Sequence, residues 1–183
     1  MTIFPQHSLI LFSIITCLLI SGCAFSPKPD SCCHEPSCEL GYESTVKPSS
    51  LKIGEEKTLH ICACKPWNAS EIQVNQGEQY SFAYDNVVNW VDGTISSSPI
   101  TGWQGTTYQF LGKLVSPYRR SDKSDWYALV GAIGLKEDEV FFASDTGSVE
   151  MKKSGVVYFY ANDKIGRYFN NKGTLRLTMT RVK

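Results

Sequence analysis

The second half of the sequence consists of short segments in which apolar and polar residues alternate. Residues 174–180 read TLRLTMT, which places Leu175, Leu177 and Met179 on one face. Such alternation is typical of a strand with one buried face. No stretch has an apolar period of 3.6 residues over eleven positions. The pattern therefore predicts an all-β fold.

Further strands are predicted upstream, separated by clusters of Asn, Asp, Gly and Ser. They lie at 72–74, 79–83, 126–133, 139–142 and 156–161, and the turn clusters lie at 75–77, 92–98, 144–148, 162–166 and 170–173. The run WYALVGAI at 126–133 is apolar throughout, which is typical of a strand buried on both faces. Short strands at this spacing predict a β-sandwich.

Composition divides the chain near residue 66. Residues 67–183 contain all four Trp and neither Cys nor His, whereas residues 23–66 hold five prolines and six cysteines. We therefore predict a Cys/Pro-rich tether at 23–65 and a sandwich domain at 66–183. The 18 Lys and Arg balance 18 Asp and Glu, which argues against a nucleic-acid partner.

The N-terminus has the pattern of a bacterial lipoprotein signal. Residues 9–20 read LILFSIITCLLI, the length of a signal-peptide core, and Ile20-Ser21-Gly22-Cys23 resembles the lipobox. This predicts a signal peptide at 1–22 and a palmitate-type lipid anchor on Cys23 that holds the protein on the membrane of the cell envelope. Ala24 resembles the residue that directs such proteins to the outer membrane. A cleaved secretory signal and a short anchor helix are the alternatives, because residues 1–8 lack Lys and Arg.

The remaining cysteines are predicted to form disulfides. An exported protein meets an oxidising environment, so we expect the group Cys32, Cys33 and Cys38 to pair with Cys62 and Cys64. Metal binding with His34 or His60 is the alternative, but C-x₂-C pairs are absent.

The loop after the predicted strand at 156–161 offers oxygen ligands. Asp163, Asn170 and Asn171 lie within nine residues, and Gly166 and Gly173 allow the backbone to turn. Carboxylate and amide oxygens are ligands of Ca²⁺. The same residue types also form plain hairpin connections, so both interpretations stay open on composition.

The strand VVYFYAND, the element Asn-Asn-x-Gly and the alternating terminal strand resemble the PA-I (LecA-type) calcium-dependent galactose-binding lectins of bacteria. The pieces at 72–83, Trp90 and the segment 128–134 are also similar to that family. The resemblance covers about residues 66–183. It implies a galactose-binding-like, jelly-roll-like β-sandwich.

The resemblance also implies a calcium site. Asp163, Asn170 and Asn171 would bind Ca²⁺ through side chains, and Arg167 and Gly93 would bind it through main-chain carbonyls. The ring hydroxyls of the sugar would complete the shell, with Asp163 and Asn170 also bonding the sugar. Tyr168 and Phe169 are candidates for a wall against the sugar, with ordinary packing as the alternative.

The family's histidine and glutamine in the middle loop have no counterpart that can be aligned at 96–125, where Trp103, Tyr108, Tyr118, Arg119 and Arg120 occur instead. The resemblance therefore implies a carbohydrate without fixing galactose. No Ser-His-Asp, G-x-S-x-G or H-E-x-x-H pattern is present, so we expect no enzyme activity. The alternative function is a structural lipoprotein that uses the sandwich to bind an envelope protein.

Overall fold

The computed structural model describes Cys38 and residues 46–143 and 147–183, and this part of the chain is an all-β sandwich. The strands are β1 (Glu56–Cys62), β2 (Asn68–Val74), β3 (Gln79–Asp92), β4 (Ile95–Ser98), β5 (Gly102–Trp103), β6 (Leu129–Ile133), β7 (Val140–Phe142), β8 (Ser148–Glu150), β9 (Gly155–Ala161) and β10 (Asn171–Arg181). A helix, α1 (Thr106–Leu114), follows β5, and 3-10 turns occur at Ser116–Tyr118 and Tyr168–Asn170.

The strands form two antiparallel sheets. The first has the order β1-β10-β3-β4-β5, with β8 also paired to β3, and the second has the order β2-β9-β6-β7. The terminal strand β10 lies between β1 and β3, and its Leu175, Leu177 and Met179 are fully buried. The predicted inward face of this strand is therefore confirmed.

The core lies between the two sheets. Phe82 of β3 meets Phe159 of β9 edge to face, with ring centroids 6.1 Å apart, and Phe141 of β7 lies 5.4 Å from Phe82. Edge-to-face aromatic pairs favour each other beyond their area burial. Burying each large apolar side chain contributes about 1.5–3 kcal/mol, so the side chains at this interface supply a large favourable term to folding.

Strand β6 of the second sheet is buried on both faces, as the apolar run predicted. All five residues of β6 are buried. On the outer face of this sheet, the Arg120 guanidinium lies 3.7 Å from the ring centroids of both Trp67 and Tyr160. Arg120 also pairs with Glu137 at 2.8 Å. This cation between two rings closes the outer side of the sheet.

The sandwich includes residues that the sequence analysis assigned to the tether. Strand β1 pairs with β10 over seven residue pairs, and Ser49 bridges Ile72 of β2. Leu51 is buried in the core. The sequence missed β1 because proline and cysteine around it dominate the composition of that segment.

Helix α1 was not predicted either, for a physical reason. Of its nine residues only Gly112 is buried, so the helix presents no apolar stripe to the core. A surface helix without such a stripe gives no periodic signal. It follows β5 at the edge of the first sheet and covers Trp103 and Trp126.

The fold brings two connections together at one end of the sandwich. Asn171, the first residue of β10, is paired with Asp92, the last residue of β3. The Tyr127 hydroxyl donates to the Val91 carbonyl at 2.8 Å and accepts from the Lys172 amide at 3.1 Å. The turn after β3 and the loop before β10 are thereby fixed beside each other.

Candidate metal and sugar site

The loop between β9 and β10 begins with a buried asparagine that holds a neighbouring segment. The Asn162 side chain donates to the carbonyls of Ser121 and Ser124, both at 2.9 Å, and accepts from the Ser121 amide at 2.8 Å. Its amide is thus saturated by main-chain groups. Asn162 is a structural residue that fixes the loop on which the next residue stands.

Asp163 is a buried carboxylate with one oxygen lacking a partner. The residue is 4% exposed; its Oδ1 accepts from the Lys164 amide at 2.6 Å, and its Oδ2 has no hydrogen-bond partner among the described residues. Burial, followed by the negative charge of Asp92, raises the pKa of Asp163 to about 6, and hydrogen bonds with the Lys164 amide and the Asn171 side chain offset only part of this rise. A buried carboxylate with a free lone pair is costly unless a cation or a proton neutralises it.

The two asparagines have the same feature. Asn170 Nδ2 donates to Asp92 Oδ1 at 2.8 Å, and Asn171 Nδ2 donates to the Ala63 carbonyl at 3.3 Å. Because the NH₂ group of each amide faces an acceptor, its Oδ1 is the free end. Within the described part of the chain, both Oδ1 atoms are buried and without a donor.

Asp92 belongs to this site, although the sequence analysis missed it. It is 8% exposed, accepts from Asn170 through Oδ1, and accepts from Trp103 Nε1 at 2.9 Å through Oδ2. Burial raises its pKa. The available signal was its position two residues after Trp90, which places both side chains on the inward face of β3.

The two residues predicted to offer main-chain carbonyls lie on the same two connections. The Gly93 amide donates to the Asn170 carbonyl at 3.1 Å, which holds the β3–β4 turn against the loop. The Arg167 amide donates to the Lys164 carbonyl at 2.9 Å, which closes a turn after Asp163. The structure therefore brings Gly93, Arg167, Asp163, Asn170 and Asn171 to one end of the sandwich.

Gly173 explains the last position of the Asn-Asn-x-Gly element. It has φ of 110°, and a Cβ at this position would lie 2.3 Å from the Asn89 carbonyl oxygen. The pairing of β10 with β3 is irregular between Lys172 and Thr174. Only glycine lets the start of β10 approach β3 this closely, and this approach carries Asn170 and Asn171 to Asp92.

The donor set fits a hard divalent cation. Three buried oxygens lack donors, and two carboxylates, Asp92 and Asp163, interact electrostatically. Calcium takes six to eight oxygen ligands from carboxylates, amides and main-chain carbonyls. A plain hairpin connection would leave such oxygens in water or hydrogen-bonded, so turn geometry does not account for them.

The two aromatic candidates differ in position. Tyr168 is buried, and its hydroxyl donates to the Ala161 carbonyl at 2.8 Å and accepts from Arg120 at 3.0 Å. It is a packing residue. Phe169 is 43% exposed, with the Arg167 guanidinium 5.9 Å from its ring centroid, so Phe169 remains available to a ligand.

The cysteine prediction is confirmed for the pair that the structure describes. Cys38 and Cys62 form a disulfide, and Cys64 is also disulfide-bonded. The sulfurs of Cys38 and Cys62 lie near His60, but the disulfide occupies both sulfurs, so they are not metal ligands in this state. The predicted lipidation at Cys23 and the cysteines Cys32 and Cys33 lie outside the described residues.

No helix in the described ranges is long and apolar enough to cross a membrane. A scan against models of known protein families found no match, and no curated protein is significantly similar to the chain. The basis for assigning a role is therefore the set of buried oxygens described above.

Proposed function

We propose that the protein is a lipid-anchored lipoprotein of the bacterial cell envelope whose sandwich is a lectin-like module that binds a carbohydrate through Ca²⁺. The observation that carries this proposal is the trio of buried oxygens without donors: Asp163 Oδ2, Asn170 Oδ1 and Asn171 Oδ1. They occupy the positions that the resemblance to the PA-I lectins assigns to calcium ligands. The galactose-binding-like character of the fold is part of the proposal.

The residues that would hold the ion are Asp163, Asn170 and Asn171, with the carbonyls of Gly93 and Arg167. Asp92 adds a second negative charge beside them, and its bonds to Asn170 and Trp103 orient the Asn170 amide. Two carboxylates balance a divalent charge without further protein groups. Groups that orient metal ligands in this way commonly raise affinity.

When bound, calcium supplies coordination positions that two neighbouring sugar hydroxyls fill in place of water. Asp163 and Asn170 then accept from and orient those hydroxyls, and the exposed Phe169 offers an apolar face. These contacts bind and position a ligand but break no bond, so we propose a binding protein and not an enzyme. The lipid on Cys23 places the module on the outer membrane.

A structural role in an envelope complex is the second candidate, and one observation favours it. Helix α1 and the turn after it expose apolar side chains at Phe110, Leu114 and Tyr118, each more than 60% exposed. Apolar groups concentrated on one surface element are typical of a protein-binding surface. In that case the sandwich would bind an envelope protein without sugar.

The test is a glycan array probed with residues 24–183, which retain every described residue, in calcium and in chelator. We expect glycan signals in calcium that disappear in chelator and in Asn170→Ala. The control variant Asp122→Asn changes an exposed carboxylate and should retain the signals. An array without signal in both conditions, together with an envelope protein recovered by cross-linking in cells, would favour the second candidate.

A further inference from the structure

A cleft of about 250 Å³ lies beneath helix α1. Its lining includes Trp103, Trp126, Tyr108, Lys113, Arg119 and Asp125. Pockets for drug-sized ligands are about 300–1,000 Å³, so this cleft has room for about one six-membered ring.

The aromatic side of the cleft is held rigidly. Trp103 and Trp126 stack with ring centroids 5.0 Å apart and an interplanar angle of 13°. Trp126 Nε1 donates to the Gly112 carbonyl and Trp103 Nε1 to Asp92, each at 2.9 Å. Because both indole N–H groups are used and Trp126 is buried, the half-buried Trp103 ring is the one that presents carbon atoms to a ligand. Such surfaces pack against the C–H face of a pyranose or another flat ring.

The other side of the cleft is cationic. Lys113 is exposed and has no ion-pair partner within the described residues. Arg119 donates to the Asp122 carbonyl at 2.9 Å, while its Nε–H is buried and has no acceptor in the part of the chain that the structure describes. An unpaired buried N–H of a cation favours an anionic oxygen.

One carboxylate also lines the cleft, and it does not cancel the two cations. Asp125 Oδ1 lies 3.8 Å from Arg119, but the Asp125 side chain is 78% exposed. Water and salt screen an exposed carboxylate, and loose surface pairs of this kind contribute little. Lys113 is exposed and screened in the same way, so the preference of the cleft for negative charge rests mainly on Arg119, whose side chain is 17% exposed.

The cleft and the proposed calcium site are joined through two residues. Trp103 forms part of the cleft wall and donates to the carboxylate of Asp92, which accepts from Asn170. Trp103 thus places one wall of the cleft within two hydrogen bonds of Asn170. Tyr108 of α1, which is 39% exposed, lines the same cleft.

We infer that the cleft binds an acidic sugar residue, a pyranose with a carboxylate, adjacent to the sugar that the calcium site holds. Trp103, supported by the stacked Trp126, packs against the ring, and Arg119 with Lys113 binds the carboxylate. The choice of a sugar as the ring rests on the proposed function, whereas the preference for an anion rests on the cleft alone.

The test compares acidic and neutral sugars on residues 24–183. Methyl glucuronide and methyl galacturonide are titrated beside methyl glucoside and methyl galactoside, in calcium and in chelator, with the indole N–H signals of Trp103 and Trp126 followed by NMR. We expect at least one uronide to shift both indole signals and to bind about tenfold more tightly than its neutral counterpart. This difference should persist in chelator.

Charge-removing variants assign the effect to the cleft. Arg119→Gln should reduce uronide binding about tenfold and leave the neutral sugar unchanged. If Arg119→Gln folds poorly, Lys113→Gln serves as the second charge-removing variant of the cleft. Its substitution should not disturb folding, because the Lys113 side chain is exposed and makes no described ion pair. The control Lys136→Gln removes the same charge beyond the far end of β6 and should have no effect.

The outcomes separate the two proposals. Uronide shifts at the two indoles in chelator, with a glycan array that has no signal in calcium, would support the cleft and contradict the calcium-dependent function. Calcium-dependent binding of neutral glycans, with uronides no tighter than neutral sugars or with unchanged indole signals, would overturn the acidic-sugar inference alone.

Discussion

Replacing Asp163 with Asn should have opposite effects on stability with and without calcium. In the calcium-free protein this carboxylate is buried beside a second one, Asp92, and its Oδ2 lacks a donor. Ionised Asp163 is therefore a source of instability until a cation arrives. Asn keeps an acceptor for the Lys164 amide, which now bonds Oδ1, but removes the charge.

The size of the effect follows from the pKa of Asp163. A rise from 3.8 to about 6 corresponds to about 3 kcal/mol of lost stability at neutral pH. The pKa of Asp163 is higher in the folded state than in the unfolded chain, so between pH 4 and 6 the unfolded chain releases the proton first. The loss of stability therefore grows as the pH rises and is complete above about pH 6. The new Asn side chain has a buried NH₂ group without a full set of acceptors, which offsets part of the stability gained by removing the charge. We therefore expect Asp163→Asn to stabilise the calcium-free protein by about 1–3 kcal/mol at pH 7.5.

Calcium should reverse the order of the two proteins. At a concentration one thousand times its dissociation constant, a ligand that binds only the folded state adds about 4.1 kcal/mol, which exceeds the gain of about 1–3 kcal/mol from Asp163→Asn. For a domain of this size that corresponds to a rise in Tm of about 8–16 °C. Asp163→Asn should lose this rise, and in the parent protein the rise should shrink at pH 5, where protons compete for Asp163.

The assay is thermal and urea unfolding of residues 24–183, followed by tryptophan fluorescence at pH 5 and pH 7.5, in chelator and in calcium. Asp122→Asn removes an exposed carboxylate as a control and should behave as the parent. If Asp163→Asn destabilises the protein equally in chelator and in calcium, Asp163 is an ordinary structural acceptor and the reasoning fails.

Three further substitutions test the sandwich by urea unfolding. Arg120→Met removes the cation between two aromatic rings and its hydrogen bonds to main chain and side chains, and should lower the free energy of unfolding by about 2–4 kcal/mol. An unchanged free energy of unfolding would show that Arg120 contributes only the packing of its side chain against the rings. In Gly131→Ala the new Cβ would lie 2.3 Å from Cζ of the Phe141 ring, and we expect a loss of about 1–3 kcal/mol unless that ring turns away freely. Replacing both Cys38 and Cys62 with Ala opens a loop with a sequence separation of 24 and should lower stability by about 3 kcal/mol, whereas an unchanged midpoint would mean that the cross-link does not restrict the unfolded chain.

The strands were predictable because their signal is local. Leu175, Leu177 and Met179 alternate with polar residues, and one face of β10 must be buried whatever the partner. The continuous apolar run around β6 likewise requires cover on both faces. The sequence does not indicate which residue covers the outer face of the second sheet. In the structure Arg120, a charged residue in a loop, covers it by lying between Trp67 and Tyr160.

The candidate site was predictable only in part, because half of it is a tertiary contact. Asp163, Asn170 and Asn171 stand close in sequence, whereas Asp92 reaches them through the pairing of β3 with β10. That pairing depends on Gly173, which lies close to the Asn89 carbonyl. No local sequence pattern indicates this long-range contact. A sequence motif can thus offer ligands, but strand register decides which second carboxylate joins them.

The burial of these groups distinguishes them from the polar groups of a simple turn. Asp, Asn and Gly form hairpin connections because their side chains bond nearby backbone or face water. Asn162 behaves in this way, with its amide fully engaged by main-chain groups. Asp163, Asn170 and Asn171 each have a buried oxygen without a hydrogen-bond donor. Asp163 is also repelled electrostatically by the carboxylate of Asp92. A turn requires neither the burial nor the second carboxylate. A divalent cation would neutralise the two carboxylates and coordinate the buried oxygens, so in the calcium-free protein these groups should lower the free energy of unfolding.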